Sequence, residues 1–176
     1  LVPENSPALR EVLPEFDFAN APVNPNEFAS ALVETCRKNN GLGLSANQCG
    51  FKHRVFVMGA EDNYVAFFNP KVTKTYGTKK MEEGCLSFPL LFLNIERPAE
   101  IDVEYQDFNG EKKTAQFSGI SARCFQHELD HMNGIVYTNR VKPLALQQGM
   151  KKRNKLKNMV KKMDKNLKKI TNGNTN

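Results

Sequence analysis

Two histidines four residues apart carry the clearest chemical signal in the sequence. His127 and His131 enclose Glu128 in the pattern His-Glu-Leu-Asp-His, in a segment that favours a helix. Because residues i and i+4 share one helix face, both imidazoles can reach one metal ion. Glu128 then lies beside that ion, where a carboxylate can accept a proton from water and pass it to a leaving group. The pattern predicts metal-assisted hydrolysis; the alternative is a polar helix face with two solvated or capped histidines.

A catalytic site of this kind needs a third protein ligand and one position open to water. No histidine follows His131, and the only acidic residue after it is Asp164. His53 lies between two basic residues, so we expect it at the surface. Upstream, Cys85 stands in the sequence Glu-Glu-Gly-Cys-Leu-Ser, and a thiolate beside a glycine is a suitable ligand. The alternative for an isolated cysteine is a buried structural thiol.

A glycine-rich segment ends in a side-chain amide. Residues 41–48 have the sequence Gly-Leu-Gly-Leu-Ser-Ala-Asn-Gln and lack the lysine and hydroxyl that close a phosphate-binding loop. The alternating glycines would let a substrate backbone approach closely, and Gln48 could donate a hydrogen bond to a developing oxyanion. Considered alone, the segment is equally compatible with a helix end and a packed turn.

Together, the three segments resemble one family, the peptide deformylases. That family carries a GxGxAAxQ loop, an EGCLS segment and a QHExDH helix, in this order and at similar separations. The matching residues here are 41–48, 83–87 and 126–131, and the resemblance extends from about the first helix to residue 140. Ser45 departs from the family pattern by replacing an alanine, and Phe92 stands where several members carry a basic residue.

The resemblance implies hydrolysis of the N-formyl group from the formyl-methionine that starts newly made polypeptides, with release of formate. It places one divalent metal ion on Cys85, His127 and His131. The ion is expected to be Fe2+ in the cell, and Zn2+, Ni2+ or Co2+ can occupy such a site in purified protein. By the same resemblance, Glu128 would act as the general base and acid.

The resemblance also assigns residues to substrate binding. Gln48 and the backbone N–H of Leu86 would hold the oxyanion. The methionine side chain would enter an apolar pocket, and the substrate backbone would lie beside two glycines. The positions that match these substrate contacts are Leu42, Gly43, Glu83, Gly84, Ile120 and Cys124. Gln126 and Asp130 would orient the metal ligands. Arg97 would form an ion pair with a buried Glu83 or Asp130.

The elements that must position these residues follow from sequence patterns. Residues 1–26 are rich in proline and asparagine, which favours an extended arm, and a helix is predicted from Pro25 to about Asn39. Strands are predicted at 55–58, 64–68 and 72–76, and a hairpin at 101–106 and 112–117. A second helix over 120–132 would carry the histidines. Because βαβ alternation is missing, we expect an α+β fold with antiparallel sheets packed around this central helix, plus a basic C-terminal helix.

Charge divides the chain into two parts. Its 176 residues, 40% hydrophobic, suffice for one domain with a core. Residues 151–170 hold ten basic and one acidic residue, hence +9, whereas the remainder contributes −3 to the total of +6. We therefore expect a catalytic domain over 1–142, including the N-terminal arm, and a basic C-terminal helix and tail over 143–176. An apolar stripe on that helix comprises Leu156, Val160, Met163, Leu167 and Ile170.

The basic helix points to a partner, because cationic helices are attracted to RNA phosphates. With the family resemblance, this predicts contact with the ribosome; the alternatives are a solvated helix, or a stripe that packs on the domain or on another copy. We expect nascent formyl-methionyl polypeptides as substrates, a monomer, and no membrane contact, since no apolar run approaches ~20 residues. Residues 1–10 lack a secretory-signal pattern. Four dispersed cysteines favour free thiols in a cytoplasmic compartment, while an organelle or virus-encoded origin stays open.

Two other functions agree with part of the pattern. A zinc-type endopeptidase shares HExxH but normally takes a histidine or glutamate ligand downstream, where this chain offers little. A small RNA- or ribosome-binding module would keep the histidines as structural residues. Release of formate from a formylated peptide would distinguish the three.

Overall fold

The computed structural model describes residues 1–173, with side chains for 1–165 and Leu167. In chain order the elements are α1 (Pro25–Lys38), β1 (Gly43–Ser45), β2 (Val55–Ala60), β3 (Asn63–Tyr76), β4 (Lys79–Cys85), β5 (Phe88–Arg97), β6 (Glu100–Gln106), β7 (Lys112–Ser118), α2 (Gly119–Met132) and α3 (Pro143–Gly173). Short 3-10 turns lie at Pro7–Arg10, Ala46–Cys49 and Tyr137–Arg140. The side chain of Ile170 and residues 174–176, which belong to the predicted stripe and tail, lie outside the described residues.

Helix α1 begins and ends as predicted. The Asn24 side chain accepts hydrogen bonds from the backbone N–H groups of Asn26 and Glu27, and Pro25 occupies the first turn, where its missing N–H costs nothing. The helix ends at Lys38, with Asn39 as its C-cap. Its buried face packs into a core cluster with strand β2, which fixes the glycine-rich segment that follows.

The strands form two antiparallel sheets, as the α+β prediction requires. The larger sheet has the order β1-β2-β3-β6-β7, and β4 pairs with β5 in a separate hairpin. Helix α2 packs on the larger sheet, where Phe125 meets the rings of Phe56, Phe67 and Phe117 at centroid distances of 5.1, 5.3 and 5.7 Å. These edge-to-face and tilted contacts bury large apolar area. They hold α2 in place between the two sheets.

The prediction of two strands at 64–68 and 72–76 was wrong, because β3 runs unbroken across Asn69 and Pro70. Asn69 has a φ of +49°, and the register with β6 shifts between Phe68 and Lys71. The Asn69 side chain accepts a hydrogen bond from the backbone N–H of Phe16 and donates one to its carbonyl, at 2.7 and 3.0 Å. The Asn69 side chain thus satisfies the backbone of the N-terminal arm at Phe16, and the expected turn is a bulge within β3.

The β4–β5 hairpin was not predicted, and it supports both the cleft and the C-terminal helix. The first turns of α3 pack on β5: a Cβ at Gly149 would lie 2.6 Å from Leu93 Cδ2. Arg153, 3% exposed, donates to the Pro89 carbonyl at 2.9 Å. Beyond Arg153, side chains of α3 such as Met159 and Met163 are exposed. Among the described residues, no helix combines the length and apolar character needed to cross a bilayer.

Candidate active site

Three potential metal ligands converge between β4 and α2. Cys85 is the last residue of β4, and the register with β5 shifts between Glu83 and Cys85, which ends the regular pairing at the thiol. His127 and His131 lie one turn apart on α2. The Cys85 Sγ is 3.4 Å from His131 Nε2, and the three ligand atoms lie within 4.8 Å of one another. Strand β4 and helix α2 thus bring Cys85 and His131, 46 positions apart in sequence, close enough to bind the same metal ion.

A carboxylate orients the imidazole of His127, whereas the buried Nδ1 of His131 has no hydrogen-bond partner among the described residues. His127 Nδ1 lies 3.0 Å from Glu83 Oε2, which turns its other nitrogen toward Cys85. Burial opposes protonation of His127, but hydrogen bonds to Cys85 and Glu83 raise its pKa to about 10. A positive charge is therefore favoured between those two groups. Burial also lowers the pKa of His131, which keeps this imidazole in the neutral form that binds metals.

A buried ion-pair network contacts His127 through Glu83. Arg97 donates from Nε and Nη2 to the two Glu83 carboxylate oxygens at 2.7 and 2.9 Å, and from Nη1 to Asp130 Oδ2 at 2.7 Å. Arg123 donates to Glu83 Oε1 at 2.8 Å, and Arg140 pairs with Asp130. Burial alone would raise the pKa of Glu83, but its hydrogen bonds to His127 and Arg97 hold that pKa well below its usual range. The carboxylate therefore stays ionised behind the imidazole.

Part of this network was predicted and part was not. Arg97 was expected to pair with Glu83 or Asp130, and it pairs with both. Arg123 and Arg140 were not recognised as partners, because they lie on α2 and after it, with no local spacing that links them to β4. Gln126 does not orient a ligand: its amide donates to the backbone carbonyls of Pro98 and Ala122.

Glu128, the residue next to His127 on α2, carries a buried carboxyl group. The residue is 4% exposed, and its Oε2 is buried without a hydrogen-bond partner. Burial raises the pKa of Glu128 to about 7, although the neighbouring His127 acts in the opposite direction. A buried carboxyl that titrates near neutrality is suited to accept and return a proton.

Gln48 presents its amide N–H groups to the site. Its Oε1 accepts a hydrogen bond from the backbone N–H of Ser45 at 3.0 Å, and the Ser45 hydroxyl lies 2.8 Å from Asn47 Oδ1 and 3.0 Å from the same Gln48 oxygen. This fixes the Nε2 group, which lies 3.4 Å from Cys85 Sγ and donates to Ser87 Oγ at 3.1 Å. The preceding residue, Asn47, donates to the His131 carbonyl at 2.9 Å and so ties this segment to α2. The orientation of the amide is thus held by the backbone of residue 45, which an alanine at this position would also supply.

A cavity of about 560 Å3 opens onto these groups. All but one of the predicted site residues line it: Leu42, Gly43, Gln48, Glu83, Gly84, Cys85, Leu86, Ile120, Cys124, His127 and Glu128. The other, His131, is 1% exposed and lies deeper. His53 is remote from the cavity and is half-buried rather than exposed, with its ring 5.6 Å from those of Phe16 and Phe28.

The amino-acid sequence matches one known protein family over most of its length. The profile of a family described as polypeptide deformylase matches residues 1–147. A peptide deformylase of Thermotoga maritima is 42% identical over 113 residues, which cover 64% of this chain and 69% of the relative. A peptide deformylase of Rhizobium meliloti is 35% identical over 144 residues, covering 78% of this chain and 82% of the relative.

Solved structures show the same architecture. A peptide deformylase from Synechococcus elongatus, in complex with actinonin, superposes with a TM-score of 0.81 at 30% identity, covering 88% of this chain and 86% of that one. A peptide deformylase from Plasmodium falciparum gives a TM-score of 0.78 at 31% identity, with coverages of 92% and 96%. The similarity therefore extends over both sheets and the central helix.

Proposed function

This chain belongs to the polypeptide deformylase family, and on that premise we propose how its residues remove the N-formyl group of formyl-methionine from newly made polypeptides. The reaction adds water across the formyl amide: a C–O bond forms, the C–N bond breaks, and formate and a free amino terminus result. The observation that carries the proposal is the convergence of Cys85, His127 and His131 beside the unpartnered carboxylate of Glu128 in one cavity.

Family membership makes the enzyme dependent on a single divalent metal ion, and we assign Cys85, His127 and His131 as its ligands. The donor set fits such an ion, because the three atoms converge and the surroundings favour a positive charge. When bound, the ion polarises the formyl carbonyl and lowers the pKa of water. A thiolate with two imidazoles suits borderline metals, and we propose Fe2+ in the cell, with Zn2+, Ni2+ or Co2+ as replacements in purified protein.

Ligation by the thiolate predicts a loss of metal in Cys85→Ser. We expect anaerobically purified wild-type protein to carry about one equivalent of metal and the serine variant clearly less, because a hydroxyl is a weaker ligand for these ions. Elemental analysis measures both. His53→Gln, which changes a histidine outside the cavity, serves as the control and should keep its metal. A fully loaded Cys85→Ser protein would contradict the assignment.

Glu128 moves the proton in this proposal. Its free Oε2 accepts a proton from the attacking water and returns it to the amide nitrogen as the C–N bond breaks. The two steps need a carboxyl that binds and releases a proton near neutral pH, which agrees with a pKa of about 7.

Glu128→Gln tests this role directly. We expect formate release from formyl-Met-Ala-Ser to fall by about 10²- to 10⁴-fold, the usual range for loss of a general base, while the bound metal is retained. Glu96→Gln, which neutralises an exposed carboxylate on β5, should keep wild-type activity. Equal rates for Glu128→Gln and wild type would exclude the mechanism.

Gln48 and the Leu86 backbone N–H stabilise the oxyanion that develops on the formyl oxygen. The Gln48 amide is held in place by the Ser45 backbone before substrate arrives, and donation to the oxyanion exchanges one of its contacts with Cys85 Sγ and Ser87 Oγ. A preorganised donor of this kind is typically worth about 3 kcal/mol in kcat.

The substrate backbone lies between two strand edges. Among the described strands, β1 is at the edge of the larger sheet and β4 pairs only with β5, so both can accept an added strand. A Cβ at Gly43 would lie 2.7 Å from both Cys124 Sγ and Glu128 Oε1, so glycine lets β1 lie close against α2 at the general base. The methionine side chain then occupies the pocket beside Leu42, Ile120 and Cys124.

We also propose that the enzyme acts as a monomer in the cytoplasm, where nascent chains emerge, and contacts the ribosome through α3. The basic residues beyond Arg153 project from the domain and are exposed as far as Lys165 apart from the partly buried Lys157. Such a surface attracts RNA phosphates and repels a second copy of itself.

A further inference from the structure

Large apolar side chains remain exposed around the mouth of the cavity. Leu42 is 49% exposed, Phe92 51% and Ile120 55%, and all three line the opening. An apolar ligand placed against them would remove this surface from water, which is favourable in proportion to the area covered. Such a cluster marks a binding surface; the methionine side chain would cover Leu42 and Ile120, which leaves the exposed ring of Phe92 for the residues that follow it.

Phe92 lies next to the path proposed for the substrate backbone. Its neighbours Leu91 and Leu93 are 1% and 3% exposed, so the alternation along β5 directs Phe92 to the opposite face. A Cβ at Gly84 would lie 2.9 Å from Phe92 Cε1. The ring therefore packs on the glycine of β4 at the strand edge where the substrate would pair.

The rim that carries Phe92 is held rigidly. Leu90 adopts a φ of +65°, a conformation that costs a leucine free energy. Both neighbouring carbonyls are anchored: Tyr137 donates its hydroxyl proton to the Leu91 carbonyl at 2.8 Å, and Arg153 donates to the Pro89 carbonyl at 2.9 Å. Because this surface is ordered before a ligand binds, little entropy is lost on contact.

The charges at the mouth disfavour acidic ligands. Glu82 lines the opening and is exposed, whereas Arg123, the arginine of the lining, is engaged with Glu83 at 2.8 Å. An acidic side chain would meet the Glu82 carboxylate and no basic partner among the described lining residues. An apolar side chain would meet Phe92.

We propose that Phe92 makes the enzyme selective for apolar over acidic side chains in the two residues that follow the formyl-methionine. Because side chains alternate along an extended chain, those two residues face opposite sides and one of them faces the rim. The inference rests on the proposed function, since it takes the substrate backbone to lie beside Gly84.

Two matched peptide series test the selectivity. In formyl-Met-X-Ala and formyl-Met-Ala-X, X is alanine, leucine, phenylalanine or aspartate, and formate release gives kcat/KM for each. In at least one series, we expect kcat/KM to be about tenfold higher with leucine or phenylalanine at X than with aspartate. A difference of this size corresponds to half-burial of one apolar side chain. Phe92→Ala should reduce that ratio to near one, and Phe92→Arg should invert it in favour of aspartate.

Phe108→Ala is the matched control. Phe108 is also exposed, at 44%, but lies next to Asn109-Gly110 between β6 and β7, so its loss should leave the ratio unchanged. Release of formate with equal kcat/KM for all four X residues in both series would overturn the selectivity alone. Release from none of the peptides would overturn the proposed function and the inference with it.

Discussion

Arg97 neutralises two carboxylates that are otherwise shielded from water. Its side chain is 4% exposed, and Glu83 and Asp130 are 3% and 7% exposed. Arg97→Met would leave both buried charges with fewer counter-charges, and breaking such a pair costs about 3–5 kcal/mol. We therefore expect urea unfolding to show a destabilisation of this size, accompanied by weaker metal binding because Glu83 orients His127.

An exposed arginine provides the comparison. Arg37 pairs with Asp62 at 2.9 Å, but the two side chains are 42% and 96% exposed. Because water and salt screen such a pair, Arg37→Met should change the free energy of unfolding by less than about 1 kcal/mol. Similar losses for the two variants would show that burial does not set the strength of the Arg97 contacts.

At the scale of elements, α3 is joined to the cleft and to the N-terminal arm through Arg153. The guanidinium donates to the Pro89 carbonyl of the cleft rim and to the Glu4 carboxylate at 2.5 Å. Arg153→Met should loosen the rim, so we expect KM for formyl-Met peptides to rise by about three- to tenfold with kcat little changed, as when uniform binding is lost. A fall in kcat at constant KM would instead place Arg153 in the chemical step.

The contact between arm and helix also predicts a pH dependence. The hydrogen bond from Arg153 lowers the pKa of Glu4 from its ordinary value of 4.5, so the folded state binds its proton less readily than the unfolded state. The stabilisation is complete above about pH 4.5 and is lost as the pH falls through the lower, folded-state pKa. The difference in unfolding free energy between wild type and Glu4→Gln, at most about 1 kcal/mol because the Glu4 side chain is 42% exposed, should therefore vanish in acid.

Elements with a local signal were predictable from the sequence, and those defined by distant partners were not. Helix α2 and the β6–β7 hairpin carry clear periodicity and turn residues, and Cys85 could be placed at the site because its motif accompanies two others. The β4–β5 hairpin was missed because β4 is largely polar while β5 contains an apolar run. Neither sequence therefore shows the alternation of polar and apolar residue types that predicts a strand. The bulge at Asn69 depends on Phe16, 53 residues earlier, and no local rule connects the two.

At the scale of the whole molecule, charge separates the catalytic domain from its proposed docking helix. The chain carries +6 overall, yet the charged groups that line the cavity are Glu82, Glu83, Glu128 and one arginine, Arg123, which is paired with Glu83. The exposed lysines of α3 within the described residues lie at positions 151, 152, 155, 161, 162 and 165. Exposed lysines on a projecting helix can reach RNA phosphates without disturbing the cavity. Binding to the ribosome and hydrolysis of a free formyl peptide are therefore expected to be separable.

Lys161→Glu combined with Lys165→Glu tests that separation. Both side chains are exposed, so the protein should fold normally and release formate from formyl-Met-Ala-Ser at the wild-type rate. Cosedimentation with ribosomes should weaken, and the slope of log affinity against log salt should fall by about one per lysine removed from phosphate contact. Lys74→Glu with Lys112→Glu makes the same change in net charge on β3 and β7. If that pair weakens binding equally, the attraction comes from net charge alone, and docking through α3 is excluded.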